Sequence, residues 1–310
     1  MKHYSVLLEK SIELLDIKQN GIYVDGTLGR AGHSAAILKK IPNGHLYAFD
    51  KDQEAIDESV EKLKKIGSNF TLIHNGFEDL DKQLSIHGVE TIDGLLLDIG
   101  VSSPQFDDAQ RGFSYRSEAK LDMRMNKEQA FSAYELVNEY SYEQLVYVIS
   151  RYGEEKFAKQ IVRKIEKYRE TKSIETTTEL VEIIKSALPT KVLNKKGHPA
   201  KKTFQALRIE VNNELTALET VLEAGISRLA LDGRICVITF HSLEDRIVKD
   251  IFKKYSRAEK TDKRIPLLPE QIQTKAYEEI TRKPILADEE ELSKNRRSHS
   301  AKLRVLRKVR

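Results

Sequence analysis

Residues 21–34 read GIYVDGTLGRAGHS. A short apolar run, Ile22-Tyr23-Val24, ends in a carboxylate, Asp25, and passes at once into glycines at 26, 29 and 32. A helix-compatible stretch, His33 to Lys40, follows. Strand, tight turn and helix start in that order place a sheet's carboxyl ends against a nucleotide-like ligand. The spacing is GxxGxxG rather than the GxGxxG of dinucleotide sites, and a glycine motif alone is weak. The acid closing the strand strengthens it.

Outward from this turn the pattern repeats. Pro42-Asn43-Gly44 breaks the helix, and His45 to Asp50 is a second apolar strand that again ends in an acid. A helix over Glu54 to Ile66 leads to strand three, Phe70 to His74, and then to Asn75-Gly76-Phe77. Strand four, Ile92 to Asp98, is continuously apolar, as a central strand buried on both faces is. Strands alternating with helices predict a parallel sheet with right-handed crossovers. Ahead of it, residues 4–17 have the pattern of an amphipathic helix.

From about Asp107 to Arg208 only helix patterns occur: Ala133–Tyr140, Tyr142–Arg151, Glu154–Tyr168 and Thr177–Leu188. A long helix pattern over about Thr203 to Leu231 precedes the resumed sheet at Gly233 to Phe240. Tyr277–Arg282 and Leu303–Val309 alternate as two last, antiparallel-capable strands. The predicted organisation is an α/β domain of residues 1–106 and 209–310, interrupted by an all-helical substrate-recognition domain, 107–208.

Composition is that of a globular protein, 40% hydrophobic and 32% charged, with a net charge of +4. The distribution of charge says more than its sum. Arg151 to Lys202 holds 14 Lys/Arg against 7 Asp/Glu, and Lys294 to Arg310 holds 8 Lys/Arg and no acid. Two such regions predict contacts to a phosphate backbone, against the plainer alternative of solvated helix faces and a charged tail. No apolar run approaches the roughly 18 residues of a membrane helix, and MKHYSVLLEKSIELLD is too charged for a signal peptide. A cytoplasmic protein without membrane contact is expected. The single cysteine, Cys236, lies in an apolar run, so it reads as a reduced core residue. The histidines show no metal-ligand spacing, and no metal site is expected.

Several residues are candidates for chemistry. Asp50, closing strand two, has the position of a carboxylate that binds both hydroxyls of an adenosine ribose. Asp25 beside the turn suits a cationic ligand such as S-adenosylmethionine better than a pyrophosphate. Phe77 can pack on an adenine, although such a residue alone is more often core. Asp98 closes strand four facing the same crevice. Ser102-Ser103-Pro104 then offers either a helix start or acceptors for the hydrogens of an amine. Beyond strand five, Ser242 with Asp245 resembles a capping box, and His241 could instead touch substrate.

DGTLGRAGHS, LLLDIGVSSPQFDDAQRGFSYR, LDMRM, RYGEEKFAKQI, KKTFQALRIEVNNEL, ITFHSLEDRIVK and RRSHSAKLRVLRK together resemble one family over nearly the whole chain. It is the bacterial small-subunit (16S) ribosomal RNA cytosine-N4 methyltransferases, the MraW or RsmH family. The resemblance implies a class I, Rossmann-like methyltransferase sheet, mostly parallel with an antiparallel last strand, plus an inserted helical domain. It implies S-adenosylmethionine as donor, N4 of a cytidine in the decoding region as acceptor, and action on the assembled small ribosomal subunit. Carried over residue by residue, the donor contacts are Ala31, Gly32 and His33 in the turn, Asp50 on the ribose, Phe77 and Asp98 around the adenine, and Gln105. Where family members often have Gly-Gly-His, this chain has Ala31-Gly32-His33. By analogy with amino-group methyltransferases, Ser103 and the Pro104 carbonyl are the catalytic acceptors, although Gln105 stands where those enzymes carry an aromatic.

A nicotinamide-dependent oxidoreductase would share the first half of the fold, but the glycine spacing counts against it. A non-catalytic RNA-binding assembly factor would keep the fold and lose the acids. The oligomeric state stays open, a homodimer included.

Overall fold

The computed structural model describes residues 5–100, 106, 108–257 and 275–310. The chain divides into two compact units, Met1–Gly100 with Leu215–Arg310, and Val101–Glu214.

In the first unit β1 (Ile22–Asp25), β2 (His45–Asp50), β3 (Phe70–His74), β4 (Ile92–Asp98), β5 (Leu229–Thr239), β6 (Tyr277–Glu279) and β7 (Lys302–Lys308) form one sheet. Its order is β3-β2-β1-β4-β5-β7-β6. Neighbours from β3 to β5 are parallel, while β7 runs antiparallel to both β5 and β6. The order reverses between β1 and β4, so crossovers leave in opposite directions and open a crevice at the carboxyl ends of these two strands.

Side chains alternate across the central strands and sort the core into two faces. Tyr23, Leu96, Cys236 and Ile238 join one apolar cluster, whereas Val24, Leu95, Leu97, Ile235 and Val237 join the other. Helices α1 (Leu8–Leu14), α2 (Gly32–Leu38) and α3 (Gln53–Lys64) cover the first face through Ile12, Ile37 and Leu63. Helix α4 (Leu80–Ile86) covers the second through Leu80 and Leu84. Cys236 is fully buried and its thiol is pushed up to about 12 by burial, so it stays protonated.

The helical unit contains α5 (Ala133–Glu139), α6 (Tyr142–Gly153), α7 (Ala158–Arg169), α8 (Thr177–Ala187), α9 (Thr190–Leu193) and α10 (Lys201–Asn212). Ser132 with Glu135, Ser141 with Gln144 and Thr176 with Glu179 form complete capping boxes at the starts of α5, α6 and α8. Leu136, Ile149, Ile161, Ile184, Phe204 and Leu207 meet in its own core.

Two expectations need correction. The helix pattern over 203–231 is two helices, because Asn213 adopts φ +51° and ends α10 before α11 (Glu214–Arg228) begins. Asparagine visits this left-handed region more readily than most residues. The resumed strand starts at Leu229 rather than Gly233, since β5 carries an irregularity opposite Ile92 and Gly94. Last among the helices, α12 (Ser242–Ser256) packs Val248 and Phe252 on the second face beside α11, and α13 (Glu289–Lys294) precedes β7.

Candidate active site

The turn after β1 is built around Asp25. Its side chain is fully buried, accepting from the Thr27 amide at 3.0 Å and the Ser34 hydroxyl at 2.6 Å. These two bonds fix the carboxylate in the turn. Gly29 follows with φ +48°, a conformation that disfavours a side chain. Its amide donates to Asp50 Oδ2 at 2.8 Å, which ties the turn to the end of β2. Helix α3 holds the outer side of the turn, with Ser59 donating to the Gly29 carbonyl and Lys62 to the Arg30 carbonyl.

Ala31 is the N-cap of α2 and sits at φ +52°. The left-handed conformation costs an L-residue about 1–2 kcal/mol, which explains physically why glycine is favoured there. It is also fully buried, so the surrounding turn holds it in place. His33, the second residue of α2, is buried as well. Burial lowers its pKa against the opposing pull of the Asp25 charge, which favours the neutral ring.

Asp50 accepts a second amide, from Asp52, at 2.9 Å. Burial pushes its carboxyl up to about 6 in spite of these two hydrogen bonds. Phe77 opens a short 3-10 turn after β3, beside Gly26, with the Lys51 ammonium 6.0 Å from its ring centre. Asp98 Oδ2 lies 3.8 Å from His33 Nδ1. Burial first, then the Asp25 charge, raise its carboxyl to about 8. The backbone that carries it is fixed by Thr27, whose hydroxyl accepts the Asp98 amide at 2.7 Å.

Ala31, Gly32, His33, Asp50, Phe77 and Asp98 therefore stand at the carboxyl ends of β1, β2, β3 and β4, around one turn. Ser103, Pro104 and Gln105 lie outside the described residues. Thr27, Ser59 and Lys62 were missed by sequence reasoning. Only the hydroxyl of Thr27, next to the turn's glycine, carried a readable signal.

Other motifs prove structural. The cap of α12 is His241 with Glu244, one residue earlier than the expected Ser242 with Asp245. Glu244 accepts the Phe240 amide at 2.7 Å and the His241 amide at 3.1 Å. Asp245 instead accepts from Lys302 and Arg304 on β7, and these charge-assisted bonds outweigh burial and hold its carboxyl below the ordinary range. In LDMRM, Asp122 and Arg124 form a bidentate pair that closes a loop of the helical unit.

A methyl donor fits these residues. His33 Nε2 and Asp98 Oδ1 are buried and have no partner among the described residues, and buried polar atoms without partners are rare away from binding sites. A reversed-order parallel sheet, a glycine turn after β1 and acids closing β2 and β4 define a class I S-adenosylmethionine-dependent methyltransferase. The family comparison narrows this further. The chain belongs to the MraW methylase family, whose model matches residues 1–309.

Solved structures similar to the chain include a candidate methyltransferase of Streptococcus mutans in complex with SAH, at 12% identity, 99% coverage of both chains and a TM-score of 0.45. A candidate rRNA methylase of Clostridium thermocellum matches at 11% identity, 99% coverage of both and a TM-score of 0.46. An rRNA methylase of Streptococcus thermophilus matches at 13% identity, covering 97% of this chain and 93% of its own, with a TM-score of 0.41. Among the described residues no helix is long and apolar enough to cross a membrane.

Proposed function

We propose that the protein methylates the N4 amine of a cytidine in small-subunit ribosomal RNA, acting in the cytoplasm on the assembled subunit. The observation that carries an RNA substrate is the outer face of α7. Lys159, Arg163, Lys164 and Lys167 are all exposed there, and none has an ion pair or hydrogen bond among the described residues. Residues four apart lie about 6 Å apart along a helix axis, so the face presents a row of cations to a phosphate backbone. In this reading residues 107–208 recognise the RNA.

When bound, the donor supplies an electrophilic methyl group on a sulfonium. Asp50 is oriented by the Gly29 and Asp52 amides to accept from two ribose hydroxyls. Phe77 supplies an apolar surface for the adenine. His33 and Asp98 offer buried polar atoms that donor groups would satisfy.

The cytosine amine is a weak nucleophile, because its lone pair is delocalised into the ring. Acceptors that hold its hydrogens localise that pair and aim it. Ser103 and the Pro104 carbonyl are proposed for this role, with Gln105 on the donor. As the nitrogen–carbon bond forms, the carbon–sulfur bond breaks with its electrons on sulfur, and the nitrogen loses one proton to water or a neighbouring acceptor.

The test is methyl transfer from labelled S-adenosylmethionine to small subunits from cells lacking this protein, followed by nucleoside analysis. N4-methylated cytidine is the expected product. Transfer to another nucleoside, or none despite donor binding, would sink the substrate assignment.

A further inference from the structure

The segment ahead of α1 packs directly on the donor turn. A Cβ on Gly32 would strike the Ser5 hydroxyl and stand 3.0 Å from the Ser5 Cβ, so the Ser5 side chain fills the space over Gly32. The Val6 carbonyl interacts with the His33 ring. Leu7 is 1% exposed and has φ +51° as the N-cap of α1. A bulky residue in that region persists only where its surroundings hold it.

What holds it comes from the opposite end of the chain. Glu291, on α13, accepts the Leu7 amide at 2.6 Å with Oε1. The same oxygen accepts the hydroxyl of Ser298 at 2.6 Å, and Ser298 is 1% exposed. One carboxylate oxygen thus joins the N-terminal segment to the turn that precedes β7. The α13 region also reaches the crevice electrostatically, because Arg297 and Glu291 both act on Asp98.

We propose that Glu291 is a positioning residue for the methyl donor: by bonding Leu7 and Ser298 it clamps Ser5–Leu7 against Gly32 and His33, and the donor binds tightly only to the clamped turn. This rests on the donor site and not on the RNA substrate, so it stands whatever nucleoside is methylated. Both bonds end on one oxygen, and an amide oxygen can also accept two hydrogens. Glutamine should therefore replace glutamate, whereas alanine should not.

The experiment is calorimetric titration of the full chain with S-adenosylhomocysteine, with thermal unfolding of each variant in parallel. Glu291→Ala is expected to raise Kd about tenfold, the equivalent of losing roughly one net hydrogen bond's worth of preorganisation. Glu291→Gln should stay near wild type, and Ser298→Ala should fall between them. Amide exchange adds a readout that a merely structural staple would not move: the Leu7 amide should exchange more slowly in wild type when the ligand is bound. A folded Glu291→Ala protein with wild-type Kd overturns the proposal, as does equal weakening by alanine and glutamine. If Glu291→Ala does not fold, Ser298→Ala and the Leu7 exchange decide. Wild-type affinity in the first, or ligand-independent exchange in the second, overturns it.

Discussion

Two stretches of this chain are almost equally basic and have opposite fates. The C-terminal stretch pairs most of its cations within the chain. Lys294 pairs with Glu290, Lys302 and Arg304 with Asp245, and Arg307 with Asp232, while Lys308 donates to the Leu229 carbonyl. Helix α7 leaves Lys159, Arg163, Lys164 and Lys167 exposed and without ion pairs among the described residues. Charge density in a sequence is therefore no measure of a binding face. What matters is whether the fold supplies a counter-charge. At least five of the tail's eight cations have partners within the chain, so the proposal for RNA contact is argued from α7.

The largest effect expected from breaking this contrast is at Asp245. Arg304 is only 5% exposed, and Asp245→Ala would leave it buried without its carboxylate. Removing one partner of a buried pair costs about 3–5 kcal/mol, and because Lys302 remains solvated we expect about 3 kcal/mol in denaturant unfolding. RNA affinity per folded molecule should not change.

Replacing Lys159, Arg163, Lys164 and Lys167 together by glutamine should do the reverse. Thermal unfolding should stay within a few degrees of wild type. Affinity for small subunits should fall about 100-fold, and the slope of log K against log salt should shrink by about 3, on the scale of 0.7–0.9 per phosphate contact. An unchanged slope would return α7 to an ordinary solvated face.

Asp245 and Asp98 sharpen the contrast through pH. The Asp245 carboxyl lies below its unfolded value, so its stabilisation is present above about pH 4 and fades as the pH falls. Asp98, raised to about 8 by burial and the Asp25 charge, has the opposite sign. Its contribution is present below about pH 4 and is lost as the pH rises toward 8. Melting temperature against pH for the donor-free protein should decline over that range, and Asp98→Asn should flatten the decline. The smallest effect belongs to Asp232→Asn, which removes the charge of a solvated pair with Arg307 and keeps a residue type that tolerates φ +66°. Its melting temperature should match wild type within error.

Much of the sheet was legible because its signals are local. β1, β2 and β4 occur where short apolar runs end in acids, and the glycine turn lies between a readable strand and a readable helix. Long-range pairing left no such trace. Nothing near Arg304 in sequence points to Asp245, and nothing near Leu7 points to Glu291. The bond from the Ser34 hydroxyl to Asp25 is equally silent in sequence, because it forms only after the turn has closed. The His241 cap was displaced by one residue because two hydrogen-bonding residues followed one another at the start of α12. The break at Asn213 was hidden by unbroken helical periodicity on both sides.

The parallel pairing of β4 with β5 also has a consequence during synthesis. The two strands are neighbours in the sheet, yet the whole helical unit lies between them in the chain. At roughly 5–20 residues per second, a ribosome completes β4 on the order of ten seconds before it delivers β5. Throughout that interval β4, largely buried in the finished sheet, has an open edge. The helical unit, with its own core and three capping boxes, can condense meanwhile and shorten the loop that must close. Its early folding is therefore a safeguard for the nascent sheet against pairing with the wrong chain.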